Sequence, residues 1–265
     1  MRLSAYPAFT TTAFQARLAY RNQVWASVFG ELVATFAYIA IWTAAFAGAS
    51  SVAGVSLPDM ITYVLLAGSL LNWRTDRLIN ELGESVRTGD VTVFLLKPFQ
   101  YPGFLAANHF GQYAFDQIVI TLPVAIIVAL TVGLLPPASL FHGLMFLPYA
   151  ALSWLILFCL ACLAGLLAFW LLTVFALEWF LRGIMALCSG AIVPLWFMPS
   201  QLAAALGYLP FAWVSYYPSA VYLGKLDAGQ SWTHLGIGLV WLVALGSFLA
   251  WLWARARHRL VVQGG

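Results

Sequence analysis

The sequence predicts an all-α integral membrane protein with six transmembrane helices, and three observations carry that prediction. Of 265 residues, 63% are hydrophobic and 8% charged, against about 25% charged in a soluble domain. That leaves too little polar surface to cover a water-soluble core of this size. The apolar residues fall in runs of the length a helix needs to cross a bilayer, about 20 residues. The basic residues fall almost wholly on one side of those runs. The aromatic complement of 12 Trp, 11 Tyr and 19 Phe suits residues that settle at membrane–water interfaces.

The N-terminal stretch 1–26 is mixed and partly polar, and the apolar run that follows is too long for a cleaved signal, so it is expected to stay in the mature chain. Within 10–27, Phe14, Leu18 and Trp25 recur at near-helical spacing with Gln15, Arg17, Arg21 and Asn22 between them. That pattern predicts an amphipathic helix lying on the membrane interface. Spans are expected at 28–48, with Glu31 near its entry, and at 57–73. A third lies within 111–135 and carries Pro123; others are expected at 144–172, 180–197 and 235–253. These runs are apolar on all sides rather than alternating, so they read as helices and not barrel strands.

Six crossings place both termini on one side. With them fall Arg2, Arg17, Arg21, Arg74, Arg77, Arg87, Lys97, Arg182, Arg255, Arg257 and Arg259; of the 12 Lys and Arg only Lys225 falls opposite. The positive-inside rule makes that side the cytoplasm. An odd number of crossings would break this grouping. The same scatter of positive charge lacks the dense basic patch that nucleic acid requires, so no nucleic-acid partner is expected.

Catalytic chemistry is sparse. Gly224-Lys225-Leu226 lacks the upstream glycine and the hydroxyl residue of a phosphate-binding loop, so ATP hydrolysis is not expected on this chain. Cys159, Cys162 and Cys188 lie in apolar runs with no His or carboxylate nearby and read as packing residues. His109, His142, His234 and His258 sit near expected membrane boundaries and read as interfacial. No metal site is expected. Glu178 and Arg182, four apart, are expected to pair or snorkel, and Ala161 with Gly165 permits close helix approach. Near one end of the third span lie Asn108, Gln112, Asp116 and Gln117. Asp116 either lines a translocation path with Gln112, or pairs with a basic group, or sits at headgroup level where charge is cheap.

Two non-spanning stretches stand out. Segment 74–101 holds much of the charge, namely Arg74, Asp76, Arg77, Glu81, Glu84, Arg87, Asp90 and Lys97, and a helical apolar stripe of Ile79, Leu82 and Val86. Arg77 and Glu81 are spaced to pair. Gly89 is suited to end that helix and Asp90 to cap another, before a second apolar cluster that includes Leu95 and Leu96. A plain connector needs only a few residues, so an exposed apolar stripe here predicts docking onto another protein. Segment 194–233 is rich in Pro and aromatic residues, too apolar for a solvated loop and too interrupted for a span; it predicts short or re-entrant helices packed at the outer surface.

The order Ile79, Gly89-Asp90, Leu95-Leu96-Lys97-Pro98, followed by Ser189-Gly190, Val193-Pro194-Leu195, Met198-Pro199, Leu209-Pro210-Phe211, Tyr217-Pro218 and Gly224, resembles the six-span permease subunits of ABC-2 type exporters. The resemblance covers most of the chain and implies a single transmembrane domain over 1–265. It implies that 10–27 is an elbow helix, that 74–101 holds a cytoplasmic coupling helix contacting an ATPase, and that 194–233 forms extracellular re-entrant helices. It further implies two separately encoded ATP-binding subunits that carry ATP and Mg, a second permease, identical or homologous, and the cytoplasmic membrane of the cell as location. The implied function is export of an apolar or amphipathic substrate by alternating access, with no cofactor and no catalysis on this chain. The competing classes are an integral membrane acyl or glycosyl transferase, which would need a polar cluster at one interface, and a secondary transporter, which would show internal repeats.

Overall fold

The computed structural model describes residues 5–71, 75–171 and 174–263. Arg2, Trp73, Arg74 and Leu172, and the side chain of Arg259, lie outside the described residues. The chain is almost entirely helical. Helix α1 (Ala5–Leu18) and helix α2 (Arg21–Phe46) are followed by a two-stranded antiparallel hairpin, Ser51–Val52 with Val55–Ser56. Helices α3 (Leu57–Leu71), α4 (Thr75–Thr88) and α5 (Val91–Leu95) come next. Helix α6 (Tyr101–Phe115) passes through a π-helical turn, Asp116–Thr121, straight into α7 (Leu122–Thr131). After α8 (Leu140–Leu166) and α9 (Phe175–Cys188), three short pieces lead to α12 (Ala228–Gln263): α10 (Ser200–Tyr208), a 3₁₀ turn at Pro210–Trp213, and α11 (Tyr216–Tyr222).

Local chemistry sets these boundaries. Ser56 and Asp59 form a reciprocal cap that starts α3: the Asp59 N–H donates to Ser56 Oγ at 3.2 Å and the Ser56 N–H to Asp59 Oδ2 at 3.1 Å. Asp227 and Gln230 repeat the device before α12, at 2.8 and 3.1 Å. Pro102 in the first turn of α6 needs no hydrogen-bond partner there. Pro123 has no N–H to offer and its ring crowds the carbonyl four residues earlier. The helix absorbs that by widening into the π turn that precedes it.

Several expected boundaries move. The interfacial helix expected at 10–27 is divided at Ala19 and Tyr20; its second half opens α2. The third apolar run extends back to Tyr101 and the last back to Ala228, so the end of the stretch 194–233 belongs to α12. Four helical stretches are long and apolar enough to cross a membrane among the described residues: Arg21–Phe46, Tyr101–Thr131, Leu140–Phe169 and Ala228–His258. Helices α3 and α9 have 15 and 14 residues.

Helix α8 is the axis of the molecule. In its most apolar stretch 61% of residues are buried, against 11% in α2. Helix α12 runs parallel to it, since Tyr149 Oη donates to the Ser231 carbonyl at 2.7 Å while Cys162 and Leu166 meet Leu249 and Trp253 further on. The Pro- and aromatic-rich segment forms the short helices expected of it. It enters the bundle: Trp213 and Val214 are fully buried, Ser153 Oγ donates to the Val214 carbonyl at 2.6 Å, and Ser215 Oγ donates to the Ala67 carbonyl at 3.2 Å. Among the close approaches that need glycine, two hold helices together. Leu82 of α4 packs so near Gly165 that a Cβ there would lie 2.7 Å from its Cδ1, and a Cβ on Gly111 would run into the Thr10 carbonyl of α1. Gly165 therefore serves the close approach its spacing with Ala161 predicts.

Helix α1 is thus clamped along α6 by sterics as well as by the Thr10 hydroxyl on the Ala107 carbonyl, 3.0 Å. Gly111→Ala should lower stability by about 1–3 kcal/mol through overpacking, whereas Gly246→Ala, facing open space, should not destabilise. Thermal unfolding of the two variants in detergent checks this.

Candidate functional site

The π turn gathers the polar side chains of the bundle. A π turn spreads consecutive side chains differently from an α turn, and here three of them reach three separate helices. Asp116 forms an ion pair with Arg17 of α1; both side chains are 14% exposed. Gln117 Nε2 donates to the Ser69 carbonyl of α3 at 2.9 Å. Thr121 Oγ1 donates to Glu31 Oε1 of α2 at 2.9 Å. Asp116 stands 15 residues before the end of α7, so it sits about 22 Å along the helix from that end. Glu31 stands the same distance before the end of α2. Asp116 thus pairs with a basic group, one of the alternatives open for it, and it also lines the cavity described next.

Beside the π turn lies a cavity of about 550 Å³. Arg17, Glu31, Asp76, Asp116 and Arg182 line it, together with an apolar wall that includes Leu65, Ile120, Leu157 and Ile192. Gln112 is not part of its lining; it accepts from Arg77 Nη1 at 3.4 Å. Arg182 makes the expected contact with Glu178 at 3.4 Å and stacks over Trp179 at 5.4 Å.

The second candidate surface is segment 74–101. Ile79 and Leu82 are fully buried and Val86 packs on the same core, so the apolar stripe of α4 faces α8 within the chain and not an outside partner. This corrects the expectation of an exposed docking stripe: the notch at Gly165 receives it. The polar edge of α4 is bonded as well. Glu81 Oε2 meets His109 Nε2 at 3.0 Å, Ser85 meets the Tyr101 hydroxyl at 2.9 Å, and Asn80 Nδ2 donates to Glu178 Oε2 at 3.1 Å. His109, 1% exposed, is a buried partner of α4.

Gly89 ends α4 with φ +80°, as its place predicts. Asp90 makes no side-chain cap to α5; its Oδ2 accepts from the Thr88 hydroxyl at 2.8 Å. Beyond it Val91 is buried, while Val93, Leu95 and Leu96 are 53%, 42% and 89% exposed. Lys97 Nζ stacks over Phe94 at 4.4 Å. The turn 89–97 is therefore an apolar knob on a braced base.

Among the described residues no group of His, Cys, Asp or Glu is arranged to hold a metal. The family model described as "ABC-2 family transporter protein" matches residues 32–264. No curated protein matches the chain significantly.

Removing one partner of a buried ion pair leaves the other charge uncompensated, typically about 3–5 kcal/mol. Asp116→Asn should therefore destabilise strongly, and Arg17→Gln combined with Asp116→Asn should recover most of the loss. A double-mutant cycle on detergent unfolding midpoints reads the coupling.

Proposed function

The chain belongs to the ABC-2 transporter family, and on that premise we propose that it is the permease subunit of an ATP-driven exporter, docked through the turn 89–97 onto a separate ATP-binding subunit. The observation that carries the reading is the contrast within one segment. Leu95 and Leu96 are exposed apolar residues, while the helix beneath them is fixed to α6, α8 and α9 by the contacts of Tyr101, Gly165 and Glu178. A push on the knob is then delivered to the spanning helices and not absorbed by a loose loop. Ile79, Leu82 and Val86 anchor this lever; Gly89, Asp90, Leu95 and Leu96 meet the partner.

Six crossings fit the contacts. Helix α9 leaves the level of Gly83, which touches Val174, and reaches the level of Tyr63, whose hydroxyl donates to the Gly190 carbonyl at 2.7 Å. It thus returns between the parallel helices α8 and α12. Helix α3 sets out from the end where Lys225 Nζ meets Asp59 Oδ2 at 2.8 Å and heads toward α4. With the positive-inside rule, both termini and the turn 89–97 lie in the cytoplasm, α1 is the elbow helix, and the segment around Trp213 is re-entrant from outside. The membrane is the cytoplasmic membrane. Two ATP-binding subunits, holding ATP and Mg, and a second permease complete the assembly. ATP shifts the equilibrium between inward- and outward-open arrangements only so far as it binds one of them better, and an apolar or amphipathic substrate crosses through the cavity beside Asp116.

Leu96→Asp should abolish co-purification of the ATP-binding subunit with the chain while leaving membrane insertion and thermal stability within about 0.5 kcal/mol, as for surface changes generally. Ile79→Asp should instead destabilise the chain itself. Undiminished co-purification with Leu96→Asp would remove the docking role.

A further inference from the structure

We propose that the C-terminal end of α12 binds an anionic phospholipid, with the headgroup phosphate at Arg255 and Arg257 and an acyl chain along an exposed apolar stripe of the same helix. The inference requires that α12 cross the bilayer, not that the chain be a transporter. Trp232 and Trp251 are both exposed on α12, and they stand 19 residues apart, about 28 Å along the helix. That matches the ~30 Å thickness of hydrocarbon, at whose two edges tryptophan settles. With Trp251 at one edge, Arg255 comes about 6 Å further on, inside a headgroup layer roughly 5–7 Å deep. A general excess of positive charge sets topology; a binding site also needs cations left free at this depth and an apolar track leading to them.

The cations here are not compensated by the protein. Arg17, Arg87, Arg182 and Lys225 each meet a carboxylate. Arg255 and Arg257 are exposed and enter no ion pair among the described residues, and α12 contains no Asp or Glu. Arg255 lies over the Trp251 ring at 5.1 Å, and Trp251 in turn stacks on Phe248 at 5.5 Å. A cation held against a ring in this way keeps its N–H groups, which no carboxylate occupies, for phosphate oxygens. His258, also exposed, stands seven residues beyond Trp251 and so falls on the same helix face.

Two features select the class of ligand. The exposed side chains Val240, Val243, Phe248 and Trp251 follow one face of α12. They extend over about 16 Å, half of the ~30 Å hydrocarbon and so the depth of one leaflet. An acyl chain leaving a phosphate at Arg255 runs along that stripe, which a free phosphate cannot use. With no carboxylate on α12 to receive an ammonium, a zwitterionic headgroup sets its own cation against Arg255 and Arg257, whereas an anionic headgroup does not. Each Lys or Arg beside an anionic surface strengthens attachment about fivefold.

The test uses the full chain in maltoside detergent, titrated with dioleoylphosphatidylglycerol and followed by thermal unfolding, since a ligand that binds the folded state raises the midpoint saturably. Dioleoylphosphatidylcholine tests the need for net negative charge, and inorganic phosphate tests the need for the acyl chain. Phospholipid retained per chain after purification from mixed micelles reads binding without reference to stability. The expected result is saturable binding of the phosphatidylglycerol, at least about tenfold tighter than either comparison ligand. Arg255→Gln combined with Arg257→Gln should weaken it at least about tenfold, from two steps of about fivefold. Arg87→Gln combined with Lys97→Gln, which removes the same charge elsewhere, should not. Equal binding of phosphatidylcholine, equal binding of phosphate, no saturable binding, unchanged affinity in the Arg255/Arg257 variant, or an equal loss in the Arg87/Lys97 variant would overturn the proposal. So would loss of the ATP-binding subunit from the Arg255/Arg257 variant with phosphatidylglycerol binding intact, which would assign this face to a protein.

Discussion

A carboxylate halfway along a helix that lipid surrounds has to be compensated inside the protein, and the molecule is organised around that requirement. Asp116 lies about 22 Å from the end of its helix. Its compensation comes from Arg17, on a helix that precedes the first long apolar run. This pair fixes α1 along α6, and the close packing at Gly111 follows from the same approach. Thr121 and Gln117 extend the arrangement to α2 and α3. Pro123 makes the π turn necessary, and the π turn points these three groups in three directions. One helix irregularity thus gathers four helices and leaves a polar cavity at their meeting point.

The other organising feature is mechanical. Helix α8 takes neighbours on several sides: α12 along its length, α11 and Trp213 toward its start, and α4 at the Gly165 notch. Helix α4 combines a fully buried apolar face with polar bonds to α6 and α9. Burial and bonding of that kind make it a strut. Packed interiors resist continuous deformation, so displacement of the turn 89–97 would shift α6, α8 and α9 together. Leu96 at the tip is exposed and Leu82 at the base is buried, the contrast on which the proposed docking role rests.

Much of the fold was legible because hydrophobic runs and charge placement report directly on lipid. The apolar helices, the end of α4 at Gly89, the Glu178–Arg182 contact and the small-residue approach at Gly165 all follow from composition and local spacing. Helix starts were less legible from hydropathy, since Tyr101 and Ala228 begin helices in stretches that are not apolar throughout; Pro102 in the first turn of α6 and the reciprocal cap Asp227–Gln230 before α12 carry that information instead. The stripe of Ile79, Leu82 and Val86 has the periodicity of an amphipathic helix, but periodicity gives a face and not what covers it. Here α8 of the same chain covers it. The Arg17–Asp116 pair spans 99 residues, and no local signal joins its members, so the cavity they line became visible only in three dimensions.

The same physics gives the proposed second permease a task. The cavity is flanked by α2, the least buried of the long helices, and by α9, a short helix that exposes Phe175, Trp179, Phe180 and Leu187 on its outer face. Hydrocarbon can cover those aromatic and aliphatic side chains, yet charged side chains turned toward it are costly even when paired. A protein surface placed across α2 and α9 would shield that lining from lipid while leaving α8 and α4 free to transmit movement. Two chains meeting this way would share one polar chamber, closed to the bilayer and opened by tilting of the helices that α4 braces. Dimerisation would then be a condition of having a charged pathway within lipid at all.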